Sequence, residues 1–501
     1  MEYQPIIGLE IHVQLKTKSK MFCTCDNVSE DIEPNTNVCP VCMGQPGVLP
    51  VTNTQAIDWA VLSALALDCK IPFFSKFDRK NYFYPDLPKG YQISQYDKPI
   101  GVNGRLILEY LNKDKKIVRR KIRIRRAHLE EDAAKLVHDS KIKSSLVDFN
   151  RAGTPLLEIV TEPDLRFSKG AKIFMQELRD IFRYLDVSNC DMEKGQLRCD
   201  ANISLRPEGK EILSAKTEIK NLNSFRAVEK ALEYEIERQT KLWNEGKPPK
   251  ESSTRGWDDT KQISYKMRAK EEVSDYRYFP EPDLPPLEFT KDYVKEIKLK
   301  LPELPHQKRE RLIKQYELGF PEAKMIASDR LIGEFYEGVL SELREWLSSL
   351  GEKEKKIEES IKKLRKLTTS WIVRDLFKHL SEKKISMEQC KITPENFAEF
   401  ITYVYKEEIS GPAAKIVFAE MFDRGSDPSH IIDEKNLKQV SDKGELDKIV
   451  EKVIKANPRP TEDYKKGKEQ ALQFLVGQVM KETKGKANPK VVADILKEKL
   501  S

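Results

Sequence analysis

The chain has 501 residues, 39% of them hydrophobic and 34% charged, which is typical of a soluble globular protein with two to four domains. Its net charge of +7 permits a nucleic-acid partner without identifying one, because only local clustering of cations indicates such a surface. We expect no signal peptide and no membrane span. The chain has eight cysteines, four of them scattered, which argues against a disulfide-rich secreted domain and for a reducing cytoplasm.

Residues 1–295 predict a mixed α/β region. Apolar and polar residues alternate, as in β-strands, in three segments: 8–15, 121–125 and 201–205. Helical spacing of apolar residues occurs between them in two segments: 54–67 and 172–185. Proline and glycine punctuate the connecting loops.

Beyond a stiff proline-rich segment, strand patterns nearly vanish, and we predict a helical domain at 296–410 and a helical tail at 411–501. Residues 352–366 are almost entirely Lys, Glu, Ile and Leu, which predicts a solvated charged helix or an inserted hairpin. In the tail, Asn488 is expected to cap a helix that begins at Pro489.

Two close cysteine pairs stand near the N-terminus. Cys23 and Cys25 form the first pair, and Cys39 and Cys42 form the second. Four thiolates on two turns fit a tetrahedral Zn²⁺ site, and a site with four protein ligands is closed, so the zinc would be structural. The alternative is a reduced cluster without metal.

Carboxylates recur along the α/β region. Glu10 and His12 are two residues apart on a predicted strand and therefore share one face. Further acidic residues follow the predicted strands: Glu130, Glu131 and Asp132 after His128, then Glu158, Glu193, Asp200 and Glu218. Oxygen ligands of this kind suit Mg²⁺, which bridges ATP phosphates during phosphoryl transfer. The alternative is a set of surface acids paired with the many basic residues.

Residues 77–95 combine cations with aromatic rings in one long predicted loop, and residues 275–280 repeat the mixture. Arg79, Lys80 and Lys89 have the charge to contact phosphates while the tyrosines stack. Equally, the aromatic residues would anchor a rigid structural loop. The sequence contains no glycine-rich Walker lysine motif, so ATP would not bind through a P-loop.

Two segments are strongly basic. Residues 113–126 hold nine basic residues and one acid, and lysines surround the apolar positions of 472–479 in the tail. Both are candidates for contact with an RNA backbone, where each phosphate contact adds salt-sensitive affinity. The alternative for each is a solvated face without a partner.

Together these motifs resemble the B subunit of the aspartyl/glutamyl-tRNA(Asn/Gln) amidotransferase. The resemblance covers nearly the whole chain. It is carried by nine segments in this order: 7–13, 79–95, 128–132, 150–163, 195–205, 218–226, 275–284, 477–480 and 487–489.

The resemblance implies an α+β fold, with a cradle-like α/β catalytic domain similar to glutamine synthetase and guanidino kinases, an all-α helical domain and a small all-α tail that binds tRNA. It implies a ligase that uses ATP to phosphorylate the side-chain carboxylate of Glu-tRNA(Gln) or Asp-tRNA(Asn), which ammonia then converts to the amide. The chain has no Gly-x-Ser-x-Gly elbow and no serine-rich amidase segment. Ammonia is therefore expected from an amidase (A) subunit, with a small C subunit completing a heterotrimer.

By the same resemblance, three residues are expected to be catalytic and to bind magnesium: Glu10, His12 and Glu131. Three others are weaker candidates for magnesium: Glu158, Glu193 and Glu218. Five basic residues are expected to contact the ATP phosphates: Arg79, Lys80, Arg151, Arg198 and Lys220. The four clustered cysteines match the zinc-bearing members of the family.

Two observations limit the resemblance. The segment 342–366 is longer and more charged than expected between helical elements. In addition, 501 residues leave no room for the large domain that is inserted in the related archaeal E subunit. The alternative function is a non-catalytic tRNA-binding adaptor of the same fold. The Glu10, His12 and Glu131 set favours the enzyme.

Overall fold

The computed structural model describes residues 2–28, 32–139, 144–269, 275–350, 354–439, 443–483 and 487–500. The chain divides into two compact units, residues 1–307 and 308–501. No helix in the described ranges is long and apolar enough to cross a membrane.

The first unit is α+β. Its strands and helices are β1 (Tyr3–Gln14), α1 (Thr54–Ala66), β2 (Phe74–Ser75), β3 (Asp78–Asn81), β4 (Tyr91–Ser94), β5 (Gly101–Leu111), β6 (Ile117–Glu131), β7 (Lys135–Asp139), β8 (Ser144–Asp148), β9 (Pro155–Thr161), α2 (Ser168–Tyr184), β10 (Leu197–Pro207), β11 (Thr217–Leu222), α3 (Phe225–Asn244), β12 (Ser253–Asp258), β13 (Ile263–Ala269), β14 (Phe279–Pro280), β15 (Leu287–Glu288) and α4 (Lys291–Leu299). Each strand and helix predicted from periodicity falls within one of these elements or ends one residue beyond it, and β1, β6, β10 and α2 extend further than predicted.

Eight strands form one large sheet in the order β13-β12-β11-β10-β1-β9-β6-β5. Neighbouring strands are antiparallel except β11 and β12, which are parallel. The N-terminal strand β1 is therefore central, with β10 on one side and β9 on the other.

The two faces of this sheet differ because side chains alternate along each strand. On β1, Ile7, Leu9, Ile11 and Val13 are at most 1% exposed and belong to one hydrophobic core with residues of α1, α2 and α3. The intervening side chains, including Glu10, point to the opposite side, hereafter the polar face. The helices thus cover one face and leave the other for polar chemistry.

Three smaller sheets accompany the large one: β14-β3-β4, β15-β2 and β7-β8. The predicted loop at 77–95 is in fact two strands, β3 and β4, joined by a turn. The strand β3 also pairs with β14 near residue 280, a long-range pairing that local sequence does not reveal.

The second unit is helical in its described part. The helices from its boundary onward are α5 (Pro305–Tyr316), α6 (Phe320–Ile326), α7 (Arg330–Ser349), α8 (Glu354–Trp371), α9 (Phe377–Lys383), α10 (Pro394–Tyr405), α11 (Gly411–Arg424), α12 (Pro428–Glu434), α13 (Lys443–Ala456), α14 (Pro458–Lys465), α15 (Glu469–Glu482) and α16 (Pro489–Leu500). One hydrophobic core joins residues from Leu312 to Ile432, and another joins residues from Leu446 to Leu500.

Two local predictions in this unit can be compared with the structure. The helix α16 begins at Pro489, and the side-chain oxygen of Asn488 accepts a hydrogen bond from the backbone of Lys490 at 2.9 Å, as a capping residue does. The charged segment forms α8 but is not wholly solvated, because Ile357 and Leu364 are buried in the core. Residues 351–353 lie outside the described residues.

Candidate functional site

Five side chains meet on the polar face where β1, β9 and β6 are neighbours: Glu10, His12, His128, Glu130 and Glu158. The strand register places Glu158 opposite both His12 and His128, so the three form a row across the sheet. The Nε2 atom of His12 lies 3.4 Å from Glu130 and 3.5 Å from Glu158. The Nε2 atom of His128 lies 3.3 Å from Glu158 and 3.8 Å from Glu130. These residues are hereafter the carboxylate–imidazole cluster.

The cluster contains two groups with the geometry of a metal site. Glu10, His12 and Glu158 form one group, and His128, Glu130 and Glu158 form the other, each with its ligand atoms within 4.8 Å of one another. Glu158 belongs to both. Carboxylate oxygens are the ligands that a hard divalent cation such as Mg²⁺ prefers, and a cation would offset the repulsion among the three carboxylates. The donor set therefore fits a divalent cation.

The pKa values of the cluster reflect burial and mutual charge. Burial, and then the charge of Glu158, raise the pKa of Glu10. Burial favours the neutral form of Glu158, but His128 and His12 outweigh it and hold the pKa of that carboxyl well below its usual range. Burial likewise opposes protonation of His12, but its hydrogen bond to Glu158 raises its pKa to about 9. In the protein alone, the carboxylates thus favour the protonated form of both imidazoles.

A lysine from the small sheet faces the cluster. The Nζ atom of Lys80 lies 5.1 Å from the ring centre of Tyr276 and 5.8 Å from that of Tyr82. Burial would lower the pKa of Lys80, but the charges of Glu130 and Glu158 raise it, so the ammonium is retained. An aromatic pocket thus holds a permanent cation beside the carboxylates.

Two arginines flank the cluster on the sheet itself. The Nη2 atom of Arg126 on β6 lies 3.9 Å from Glu158. Arg198 on β10 pairs in register with His12 and donates a hydrogen bond to Asp132. Asp132 also lies 3.2 Å from the Nε atom of Arg151, so Arg151 shares a carboxylate with Arg198 and lies next to the cluster without belonging to it.

Several buried polar atoms on this face have no hydrogen-bond partner among the described residues. They are Arg126 Nε, His128 Nδ1, Arg198 Nε and Asn202 Oδ1. Buried polar groups in native proteins are nearly always bonded, so unpaired donors and acceptors grouped on one face indicate a place where a ligand or water completes the bonding. Two of the three unpaired nitrogen atoms belong to guanidinium groups, which suit a phosphate.

A second polar group adjoins the first towards β11 and β12. The Nζ atom of Lys220 lies 3.0 Å from Asp200 and 3.7 Å from Glu218. Glu218 also accepts a hydrogen bond of 2.9 Å from Thr254. Asp200 is paired in register with Glu10, which makes this group continuous with the cluster.

The four N-terminal cysteines come together as the sequence predicts. The sulfur atoms of Cys23, Cys25, Cys39 and Cys42 all lie within 4.8 Å of one another. A hydrogen bond from Cys23, which outweighs the effect of burial, lowers the pKa of Cys42 to about 5. Its hydrogen bond to Cys42 raises the pKa of Cys23, and burial raises that of Cys25. The convergence of four sulfur atoms therefore carries the assignment, and it fits a thiophilic ion such as Zn²⁺.

Comparison with known proteins identifies the family. The family model for the GatB/GatE catalytic domain matches residues 5–295, and the model for the GatB domain matches residues 354–500. The chain belongs to the GatB family. It is 48% identical over 500 residues to the B subunit of the aspartyl/glutamyl-tRNA(Asn/Gln) amidotransferase from Persephonella marina, covering 100% of both chains. The proteins of the same name from Carboxydothermus hydrogenoformans and Thermotoga maritima are 46% and 48% identical, with 100% of this chain and 99% of each relative covered.

In this member of the GatB family, Glu131 does not lie with Glu10 and His12. Glu131 is adjacent to Glu130 on β6 and therefore points to the opposite side of the strand. Both of its carboxylate oxygens bond the ammonium of Lys89, one of them at 2.6 Å, and it accepts a hydrogen bond of 2.9 Å from the backbone of Ile93. Glu130 occupies the position in the cluster that the sequence assigned to Glu131.

Arg79 and Lys80 are separated by the same alternation. The guanidinium of Arg79 donates to Glu281 at 2.7 and 2.9 Å and to Asp283 at 3.1 Å. It lines a cavity of about 220 Å³ together with Lys89, Glu131 and two of the clustered cysteines. Arg79 therefore lies apart from the carboxylate–imidazole cluster, whereas Lys80 faces it.

Glu193 also lies apart, because it is exposed in the loop before β10. The structure adds Arg126 and Asn202 to the site. It also places there His128, Glu130 and Asp200, which the sequence grouped with the candidate carboxylates without assigning them a role. The alternation of side chains along β6 already indicates that His128 and Glu130 share one face, because they are two residues apart, as Glu10 and His12 are.

Proposed function

We propose that this protein is the B subunit of a tRNA-dependent amidotransferase, a ligase that activates the side-chain carboxylate of a misacylated tRNA with ATP. Its substrates would be Glu-tRNA(Gln), Asp-tRNA(Asn) or both, and its products Gln-tRNA(Gln) or Asn-tRNA(Asn), ADP and phosphate. The observation that carries the proposal is Glu158, a buried carboxylate shared by two groups with metal-site geometry and flanked by basic side chains.

The chemistry requires one phosphoryl transfer and one acyl transfer. In the first, an oxygen of the substrate carboxylate attacks the γ-phosphorus of ATP, and the bond to ADP breaks. In the second, ammonia attacks the carbonyl carbon of the acyl phosphate, phosphate leaves, and the nitrogen loses a proton. A free carboxylate is a poor acyl donor, so the first step supplies the leaving group.

Residues on the polar face match the needs of the first step. Glu10, His12, Glu130 and Glu158 would hold Mg²⁺, which would offset the negative charge of the ATP phosphates when bound. Lys80 would place its ammonium against the transferring oxygens, because its aromatic pocket fixes its position.

The guanidinium groups of Arg126 and Arg198 would contact the phosphates through their unpaired Nε atoms, and Lys220 offers a further ammonium beside Asp200. Positioning and charge of this kind account for most of phosphoryl-transfer catalysis. Arg79 and Arg151, which were also expected to contact ATP, have carboxylate partners outside the cluster, and we assign them no contact with ATP.

The remaining assignments extend the proposal to partners and domains. The amidase subunit would supply ammonia from glutamine, and the small C subunit would complete a cytoplasmic heterotrimer. Residues 1–295 would form the cradle akin to glutamine synthetase and guanidino kinases, residues 296–410 the helical domain, and residues 411–501 the tRNA-binding tail. The cysteine cluster would hold a structural zinc.

The test uses the assembled heterotrimer with Glu-tRNA(Gln), ATP, Mg²⁺ and glutamine. We expect formation of Gln-tRNA(Gln) with stoichiometric ADP, and a loss of at least about 100-fold in tRNA-dependent ATP hydrolysis in Glu158→Gln, equivalent to about 2.7 kcal/mol of transition-state stabilisation. The matched control is Glu193→Gln, an exposed carboxylate outside the cluster, which should leave the rate unchanged.

Wild-type complex that binds Glu-tRNA(Gln) but hydrolyses no ATP above background would refute the enzyme and leave the adaptor. Equal loss in Glu158→Gln and Glu193→Gln would refute the assignment of the cluster.

A further inference from the structure

Basic side chains continue along the polar face beyond the carboxylate–imidazole cluster. They come from β6, from the loop after β9 and from the end of β10. The members are Lys121, Arg123, Arg125, Arg166 and Arg206, hereafter the arginine band, which begins next to Arg126.

A β-bulge places the β6 members on the polar face. The register between β6 and β9 shifts between Ile124 and Arg126. Before the shift Ile122 and Ile124 are buried in the core, and after it Ala127 and Leu129 are. Because the bulge adds one residue, the buried positions change from even-numbered to odd-numbered residues, while the same face of the strand stays in the core. As a result, the exposed cations before the bulge lie on the same face as Arg126 and the cluster.

Arg166 and Arg206 have no ion-pair partner in the described ranges. Arg166 donates to the backbone oxygens of Pro163 and Leu165 at 2.6 and 3.0 Å. Arg206 donates to the amide oxygen of Gln4 at 2.6 and 3.0 Å. Each guanidinium is thus held in place by neutral groups, and its charge stays available to an anion.

The other members are partly compensated. Arg123 forms a two-pronged pair with Asp164 at 2.7 and 2.8 Å, and Arg125 forms one with Glu162 at 3.0 and 3.2 Å. Lys121 is exposed, without an ion pair among the described residues. Five cations therefore face two carboxylates in the band. In agreement, the pKa of Arg166 is lowered by burial and then by the charges of neighbouring arginines, including Arg206 and Arg123.

The dimensions of the band fit a nucleic-acid backbone better than a nucleotide. From Arg126, which is 3.9 Å from Glu158, to Lys121 the strand spans about 17 Å at about 3.3 Å per residue. A nucleic-acid strand advances about 3.4 Å per phosphate along its axis, so the band can follow several successive phosphates. It starts at the cluster, where the aminoacyl end of the substrate must lie.

We propose that the arginine band binds the backbone phosphates of the acceptor arm of tRNA and so guides the 3′ end to the carboxylate–imidazole cluster. The inference rests on the proposed function and adds the path of the substrate to it. It also assigns a partner to part of the basic segment 113–126, while the lysines at the β5–β6 turn are not part of the band.

The test measures binding of Glu-tRNA(Gln) to the assembled complex as a function of salt. In Arg166→Gln/Arg206→Gln we expect Kd to rise about tenfold near physiological salt, and the slope of log Kd against log salt to become shallower by about one per cation removed. Lys121→Gln, a substitution at an exposed position, should show a smaller change of the same sign. The KM for ATP should stay within about twofold in all variants.

The control is Arg183→Gln on α2, which lies on the helical side of the sheet and donates to the backbone oxygen of Asn189. It should change neither Kd nor the slope. Unchanged Kd and slope in both band variants, with wild-type complex still forming Gln-tRNA(Gln), would overturn this inference alone. A raised KM for ATP with unchanged tRNA binding would also overturn it, since the band would then hold nucleotide phosphates. Absence of product from wild-type complex would instead count against the proposed function.

Discussion

Two adjacent glutamates on β6 provide a sharp test of the site, because Glu130 and Glu131 are chemically identical and point to opposite sides of one strand. Glu130 belongs to the carboxylate–imidazole cluster, while Glu131 bonds Lys89 behind it. We predict that Glu130→Gln loses metal affinity but little stability, and that Glu131→Gln loses stability but little metal affinity.

The magnitudes follow from burial and partners. The side chains of Lys89 and Glu131 are 10% and 5% exposed, so neutralising Glu131 leaves a buried ammonium without its counter-charge. Breaking such a pair costs about 3–5 kcal/mol, and the lower end applies because glutamine can still accept hydrogen bonds from Lys89 and Ile93. Neutralising Glu130 removes one of three carboxylates, and we expect at least about 10–100-fold weaker metal binding, which loss of even an outer-shell group produces. His128 and His12 outweigh burial and lower the pKa of Glu130, so its neutralisation also ends favourable contacts. Because it relieves repulsion from Glu158 at the same time, we expect a stability loss of about 1–2 kcal/mol, smaller than in Glu131→Gln.

The assay uses the full chain without its partners. Urea unfolding followed by circular dichroism gives the free energy of unfolding, and titration with Mn²⁺ followed by electron paramagnetic resonance gives the metal affinity of the cluster. Equal loss of Mn²⁺ binding in the two variants would contradict the assignment of the two glutamates to separate environments. The reverse pattern, with Glu131→Gln losing metal and Glu130→Gln keeping it, would restore the expectation drawn from the sequence.

Three further predictions concern stability, zinc and RNA. Glu235 is fully buried against Arg238 and Arg255, and the hydrogen bond from Arg238 outweighs burial and lowers the pKa of Glu235. The charge of Glu235 therefore stabilises the fold above the ordinary carboxyl pKa, and this stabilisation is lost as the pH falls through the lowered pKa of the folded state. Glu235→Gln should therefore lower the free energy of unfolding by about 3 kcal/mol at pH 7. In urea titrations the difference between wild type and variant should shrink below about pH 4, and a difference independent of pH would refute this. Purified protein should contain one equivalent of zinc, and less than about half an equivalent by metal analysis would reject the cysteine site. Deleting residues 443–501 removes the last hydrophobic core and leaves the preceding one intact. We expect this deletion to weaken tRNA binding at moderate salt, and unchanged affinity would refute a role of the tail in binding RNA.

Local patterns were sufficient where one strand or one turn decides the outcome. The alternation around Glu10 and His12 predicted a shared face, the spacing of four cysteines predicted their convergence, and Asn488 before Pro489 predicted the start of α16. In each case the information lies within a few residues of the position concerned.

The remaining features depend on contacts between distant parts of the chain. Alternation along β6 pairs Glu130 with His128, but only the pairing of β9 with both β1 and β6 brings them to Glu10 and His12. Arg79 looked like a phosphate ligand because its partner Glu281 is 202 residues away in the sequence. The burial of Ile357 and Leu364 in α8 was hidden by the many charges around them. Pairings and packing of this kind are set by the tertiary fold and leave no local signal.

The central place of β1 has a consequence for the order in which the protein forms during synthesis. This strand is made well before its partners, which are residues 155–161 and 197–207. At about 5–20 residues per second, roughly 10–40 s pass before the later partner strand has been made. We expect the alternating apolar side chains of β1 to stay unpaired during that interval and to need protection from aggregation. The carboxylate–imidazole cluster, which joins β1 to β9 and β6, consequently cannot assemble until β9 has been made.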